Sequence, residues 1–207
     1  MELLLIRHAL PVRREVDEGA ADPPLSNDGL RQAELLAGYL KSEEIDAVYA
    51  SPLRRAVQTA EPLCQQIDKT MVLDAGIAEF DQHSSEYIPV EELKAAGDPR
   101  LKEFLLGEGE EFDDRDEFRE RVMNSISRIV SHHGGERVAI VCHGGVINSY
   151  AGDVLGLDVN GPGFFYPNYT SITRVAASRS GVRSIVTLNE TSHLRNTGLP
   201  MGLFQHG

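Results

Sequence analysis

The chain has only two cysteines among its 207 residues, Cys64 and Cys142, far apart and without metal-ligand spacing. That argues against a disulfide-stapled scaffold and a cysteine-rich zinc site, and leaves two reduced, buried thiols as the expectation. Basic residues are also scarce: 20 Lys and Arg stand against 32 Asp and Glu, for a formal net charge of -12. The isoelectric point is about 5.0. A surface of that sign repels nucleic acid and anionic lipid, so neither nucleic acid nor membrane is an expected partner. No apolar run approaches the roughly 20 residues of a membrane span. The opening Met1-Glu2-Leu3-Leu4-Leu5-Ile6-Arg7-His8 has too short an apolar stretch, and no basic region before it, for a signal peptide. The expected location is the cytoplasm.

What is present suffices for a core: 41% of residues are hydrophobic and 25% charged. The length fits one domain spanning 1–207. Leu3 to Ile6 reads as a strand covered on both faces, stopping at Arg7-His8. Ser26 is placed to cap a helix with Leu30, Ala33, Ala37 and Leu40 on its apolar face. A short strand at 47–50 leads through Ser51-Pro52 into a helix with Ala56, Ala60, Leu63 and Ile67 on one side. Residues 71–73 form a third strand candidate. The stretch from Glu79 to about Glu117 is the least regular, and is expected to form a lid-like insertion around 80–117. Its acidic run, Glu108 to Glu117, reads as a solvated loop. From Glu117, Phe118, Val122, Ile126 and Ile129 repeat at helical spacing until Gly134-Gly135. Val138 to Cys142 is a strong buried strand, followed by His143-Gly144-Gly145 and a helix with Val146, Ile147, Tyr150 and Val154 on one side. Two further strands, 171–177 and 182–188, precede a tail that looks irregular after Asn189. Alternating strands and helices predict an α/β three-layer sandwich: a mainly parallel sheet of about six strands with helices on both faces.

In such sheets ligands bind beyond the C-terminal strand ends. Three of those ends carry unusual polar residues: Arg7-His8, then Ser51-Pro52-Leu53-Arg54-Arg55, then His143-Gly144-Gly145. If the three strands are neighbours, two His and at least two Arg meet in one pocket. Gly144 and Gly145 open a helix, whose free N–H groups favour an anion. An anionic substrate on so acidic a protein needs such a local cationic cluster.

Four ordered blocks resemble the signature of the histidine phosphatase superfamily, which includes cofactor-dependent phosphoglycerate mutase. They are Arg7-His8; Leu25 to Ala33; Ser51 to Ala60; and Val141-Cys142-His143-Gly144-Gly145. The resemblance spans residues 2 to about 188. It implies His8 as the nucleophile that becomes phosphorylated, and Arg7 and Arg55 as the phosphate-binding arginines. His143 is implied as the second active-site His, with Gly144 beside it, and Glu79 as the proton donor. Arg54 falls at a variable, surface position.

Those roles make chemical sense. A phosphate monoester dianion must be neutralised before a nucleophile approaches, and Arg offers fixed, bidentate charge. Unprotonated imidazole is a competent nucleophile near neutral pH. A phosphohistidine splits one hard displacement into two easier ones. Glu79 can protonate an alkoxide only if its pKa is raised. No metal and no cofactor are implied, and the partner is a small-molecule phosphate ester; a homodimer is compatible with the sequence.

The chain departs from the family in three places. Ala9 and Leu10 stand where Gly and often Glu follow Arg-His; Ala9 restricts the backbone, though its carbonyl can still orient the His8 ring. The mutases' Trp-Asn pair is replaced by Arg13-Arg14 in a chain without Trp. That argues for the phosphatase branch and leaves Arg14 as a solvent-facing residue or an added substrate contact. The segment after Glu79 lacks the usual Gly, so Asp81 and Glu86 are alternative donors. A phosphomutase, an inactive binding module and a metallohydrolase are the competing readings. The last lacks any His-Glu-x-x-His spacing, and His132-His133 are expected to be exposed at a helix end. The acidic run disfavours very highly charged substrates if it overhangs the pocket.

Overall fold

A computed structural model describes residues 1–102, 114–157, 164–204 and 207. In chain order its elements are β1 (Glu2–Arg7), β2 (Arg14–Glu15), α1 (Asn27–Leu40), β3 (Ala47–Ala50), α2 (Arg54–Ile67), β4 (Met71–Leu73), β5 (Glu86–Tyr87), α3 (Val90–Ala96), α4 (Arg115–His132), β6 (Arg137–Cys142), α5 (Gly144–Leu155), β7 (Ile172–Ala177) and β8 (Arg183–Glu190). Six strands form one sheet in the order β4-β3-β6-β1-β7-β8. The first four are mutually parallel; β7 and β8 add antiparallel at one edge. The three strands that carry the polar ends, β3, β6 and β1, are therefore neighbours.

Alternation along the strands assigns the two faces. Leu4, Ile6, Val48, Ala139 and Val141 pack under α1 and α2. Leu3, Leu5, Val138 and Ile140 pack under α4 and α5. Both faces are buried, which is why β1 and β6 read as continuous apolar runs. The expected three-layer sandwich is present.

Several local expectations need adjustment. Leu30 is 44% exposed. The buried face of α1 runs instead through Gly29, Ala33, Leu36, Ala37 and Leu40. Gly29 sets that orientation, because a Cβ there would lie 2.0 Å from the Leu10 carbonyl oxygen. Ser26 caps α1 as expected, accepting from the Gly29 N–H at 3.0 Å. α4 starts at Arg115 rather than Glu117, with Asp114 accepting from two amides of its first turn. The tail is irregular in backbone but packed: Leu194, Leu199 and Met201 form their own buried cluster. His132 is exposed, but the His133 ring is half-buried between Tyr49 and Glu136. Both cysteines are free and buried. The lid-like region contains β5 and α3 in its described part, and β5 pairs with β2. Most of the acidic run, 108–113, lies outside the described residues. No helix among the described residues is long and apolar enough to cross a membrane.

Candidate active site

β1 ends by delivering Arg7 and His8, both buried, beside the end of β6. The His8 N–H donates to the Cys142 carbonyl at 2.9 Å, which ties the residue to the adjacent strand. Its Nδ1 lies 2.8 Å from the Ala9 carbonyl oxygen. A carbonyl only accepts, so Nδ1 carries the proton and Nε2 keeps its lone pair. Burial first, then the charges of Arg55 and Arg7, hold the imidazole well below its usual pKa range. The ring is neutral and its tautomer is set.

The loop that performs this orientation is held from outside. The Ala9 N–H donates to Thr59 Oγ1 at 2.9 Å, and that hydroxyl donates to the Arg55 carbonyl at 2.7 Å. The Leu10 N–H donates to Gln32 Oε1 at 2.9 Å. The Leu10 carbonyl accepts from the backbone N–H and hydroxyl of Ser26. Ala9 is fully buried and has no left-handed φ, so the backbone here does not need glycine.

Arg7 is a buried cation with no carboxylate partner among the described residues. Its Nη1 donates to the Pro167 carbonyl at 2.6 Å, and its guanidinium lies 4.2 Å from the Tyr169 ring centroid and 5.0 Å from that of Tyr166. Arg55 enters from the first turn of α2 and is 1% exposed. It pairs with Asp81 at 2.8 Å and stacks 4.8 Å from the Tyr87 ring centroid. Arg54, one residue earlier, is exposed. The His143 ring, at the end of β6, lies 5.1 Å from the His8 ring. Its Nε2 is 2.8 Å from Ser51 Oγ, at the end of β3. Burial foremost, then Arg55, His8 and Arg7, keep it neutral. Gly144 begins α5 next to Arg7, where a Cβ would come within 4.0 Å of Nε.

Glu79 arrives by a different route. It follows a one-turn 3-10 helix at 75–77 that is clamped to α4: Asp74 Oδ2 accepts from Ser125 Oγ at 2.6 Å. Arg121 donates to the carbonyls of Ala75, Gly76 and Ala78. The Glu79 carboxylate accepts from the Gly145 N–H at 2.8 Å and the Phe80 N–H at 3.2 Å. Gly145 is required there, since a Cβ would lie 2.3 Å from Glu79 Oε1. Burial above all, then the Asp81 charge, push the Glu79 carboxyl up to about 7, against the pull of those two amides. A side chain of that pKa exchanges a proton near neutrality.

The structure thus brings Arg7, His8, Arg55, His143, Gly144 and Glu79 together. Of the alternative donors, Asp81 is committed to Arg55, and Glu86 pairs with Arg100 at the surface. Arg14 lies exposed on β2. Thr59, Gln32, Ser51, Tyr87, Tyr166 and Tyr169 complete the site without having been assigned a role in the sequence. The first three lie inside the ordered blocks; the tyrosines carry no local signal. Three buried nitrogens, Arg7 Nε, Arg55 Nε and His143 Nδ1, have no protein partner among the described residues. Buried polar groups are ordinarily satisfied, so these three are groups with which the site could bind an anion. Among the described residues no group of three or more His, Cys, Asp or Glu side chains is arranged to hold a metal ion.

Residues 3–191 match the histidine phosphatase superfamily (branch 1). The chain is 32% identical over 162 residues to phosphoglycerate mutase-like protein 4 of Arabidopsis thaliana, covering 72% of this chain and 68% of the relative. It is 28% identical over 173 residues to phosphoserine phosphatase 1 of Hydrogenobacter thermophilus, covering 77% and 79%. Among solved structures, a phosphoserine phosphatase mutant from Entamoeba histolytica in complex with phosphoserine superposes with a TM-score of 0.72 at 25% identity. That match covers 93% of this chain and 98% of the other.

Proposed function

The chain belongs to the histidine phosphatase superfamily (branch 1) and is a hydrolase of phosphate monoesters, and on that premise we propose that it works through a phosphohistidine on His8. The observation that carries this reading is the His8 tautomer: Nδ1–H is tied to the Ala9 carbonyl, so the Nε2 lone pair is free beside two buried guanidiniums.

In the first step His8 Nε2 forms a bond to phosphorus as the ester P–O bond breaks. Glu79, protonated, gives its proton to the departing oxygen. Arg7, Arg55 and the His143 Nδ1–H hold the three non-bridging oxygens as charge develops on them. The Ser51 hydroxyl donates a hydrogen bond to His143 Nε2, which leaves Nδ1–H as the donor to the phosphoryl oxygen. In the second step Glu79, now a carboxylate, takes a proton from water. That water attacks phosphorus, the P–N bond breaks, and inorganic phosphate leaves.

Two arginines supply the charge that a metal supplies elsewhere, so the reaction is read as metal-independent, with no cofactor. The substrate is a small phosphorylated metabolite, and the two free thiols fit a reducing, cytoplasmic setting. Incubation with an aryl phosphate and with a phosphoglycerate, in the presence of chelator, tests the reading. Free phosphate from the esters supports it; an isomerised ester, or activity abolished by the chelator, contradicts it.

A further inference from the structure

The turn that leads into β7 contains a backbone conformation that its sequence does not favour. Thr170 is fully buried with φ +54°. For a β-branched residue that is a true outlier, since the left-handed region is normally left to Gly, Asn or Asp. The surrounding hydrogen bonds explain the geometry. The Thr170 N–H donates to the Arg7 carbonyl at 3.1 Å, while the Arg7 N–H donates to the Ser171 carbonyl at 3.2 Å. With the Ser171 N–H donating to the Asn168 carbonyl at 3.0 Å, these bonds close a tight turn ahead of β7 in which Thr170 and Ser171 both bond to Arg7, a bulge-like step whose left-handed position is ordinarily glycine.

A second residue holds the strained one. The Thr170 hydroxyl donates its single hydrogen to the Tyr169 carbonyl at 2.8 Å. It must therefore accept at 2.8 Å from His193 Nε2–H, on the 3-10 turn that follows β8. The bulge has a visible product. From the same turn, the Pro167 carbonyl accepts from Arg7 Nη1 at 2.6 Å and the Tyr169 ring lies 4.2 Å from the guanidinium. Removing one residue from the turn would reverse which side chains face Arg7.

We propose that Thr170, clamped by His193, is a positioning residue that aims the Arg7 guanidinium at the phosphate. Neither side chain touches the reacting atoms. The inference rests on Arg7 being a phosphate grip, as read above. Bulges beside active sites commonly re-aim a side chain in this way. His193 stays neutral at working pH, because burial pushes its ring down to about 4. Its Nε2 proton is then a permanent feature of the clamp.

The test is the dissociation constant of inorganic phosphate, measured on folded protein alongside the melting temperature. His193→Ala should weaken phosphate about tenfold, the loss of roughly one hydrogen bond's worth of positioning. His193→Gln, whose amide N–H reaches the same point, should stay within about twofold of wild type. Adding Thr170→Gly to His193→Ala should restore binding, because glycine takes φ +54° without a clamp. If His193→Ala does not fold, Thr170→Val and Thr170→Ser answer the same question: Val should bind phosphate weakly and Ser nearly as wild type. Unchanged phosphate affinity in His193→Ala, or in Thr170→Val, overturns the clamp, as does failure of the glycine rescue. Arg7→Ala separates the two readings. If it leaves phosphate binding intact, the grip and the clamp both fail; if it weakens binding while His193→Ala does not, only the clamp fails.

Discussion

Arg7, His8, Arg55 and His143 stand at the ends of three adjacent strands or directly after them, whereas Glu79, Asp81 and Tyr87 reach the same point from an irregular segment. The first group is the floor of the site and the second its cover. The floor is fixed by strand pairing and by short loops, such as the Ala9–Thr59 and Leu10–Gln32 hydrogen bonds. The cover is fixed by groups far away in sequence: the Ser125 hydroxyl on Asp74, the Arg121 guanidinium on three carbonyls, and the backbone N–H of Gly145 on Glu79. The difference separates two tasks. On the proposed mechanism the floor would hold phosphate and attack it, and the cover would handle the proton. Damage to one should leave the other measurable.

Arg55→Ala should break both at once, because Arg55 is a floor residue ion-paired to Asp81 of the cover. Loss of half the phosphate grip, with Asp81 left unpaired, should reduce kcat/KM by about 10³-fold. Steady-state kinetics on an aryl phosphate measure it.

Glu79→Gln should touch the cover alone. In single-turnover experiments, phosphoryl transfer from an alkyl phosphate to His8 should slow by about 10²-fold and that from a phenyl ester far less, since phenol leaves without a proton, whereas hydrolysis of the phosphoenzyme, which uses Glu79 as base, should slow with either ester. In wild type, kcat with the alkyl ester should decline as pH rises through about 7, where Glu79 loses its proton. The same shift bears on stability. The folded carboxyl holds its proton more tightly than the unfolded one, so stability is lost as pH climbs from about 4.5 to about 7. The loss is on the order of 3 kcal/mol. Glu79→Gln should therefore raise the melting temperature at pH 8 and leave it little changed at pH 4.

Gly145→Ala should shift the acid without replacing it, since the new Cβ would collide with Glu79 Oε1. A fall in kcat of about tenfold is expected, with phosphate affinity within about twofold. The smallest effect should come from Ala9→Gly. The backbone already places the Ala9 carbonyl on His8 with an ordinary φ, so kcat should change by less than about threefold.

The floor was largely legible in the sequence. Apolar runs that end in Arg7-His8, or lead into His143-Gly144-Gly145, mark strand ends by themselves, and Arg55 follows the third. What the runs did not reveal was adjacency; the order β3-β6-β1 supplies it. Glu79 was legible only through family resemblance, because nothing local in Gly76-Ile77-Ala78-Glu79 foretells a clamp from Ser125 or Arg121. Tyr87, Tyr166 and Tyr169 were not legible. They meet the two arginines through pairings remote in sequence, β2 with β5 and the turn before β7 with β1. Leu30 misled for a related reason: the contact of Gly29 with Leu10, not hydrophobicity, decides how α1 is rotated. Ala9, the residue that departs from the family pattern, proved compatible with the expected orientation of His8.

The central claim is that His8 carries the phosphoryl group between the two steps. Rapid quenching of the enzyme with a phosphorus-32 ester should trap label on the chain that survives base and is lost in acid, and His8→Ala should carry none. Label of that stability in His8→Ala, or undiminished turnover by that variant, would contradict the account.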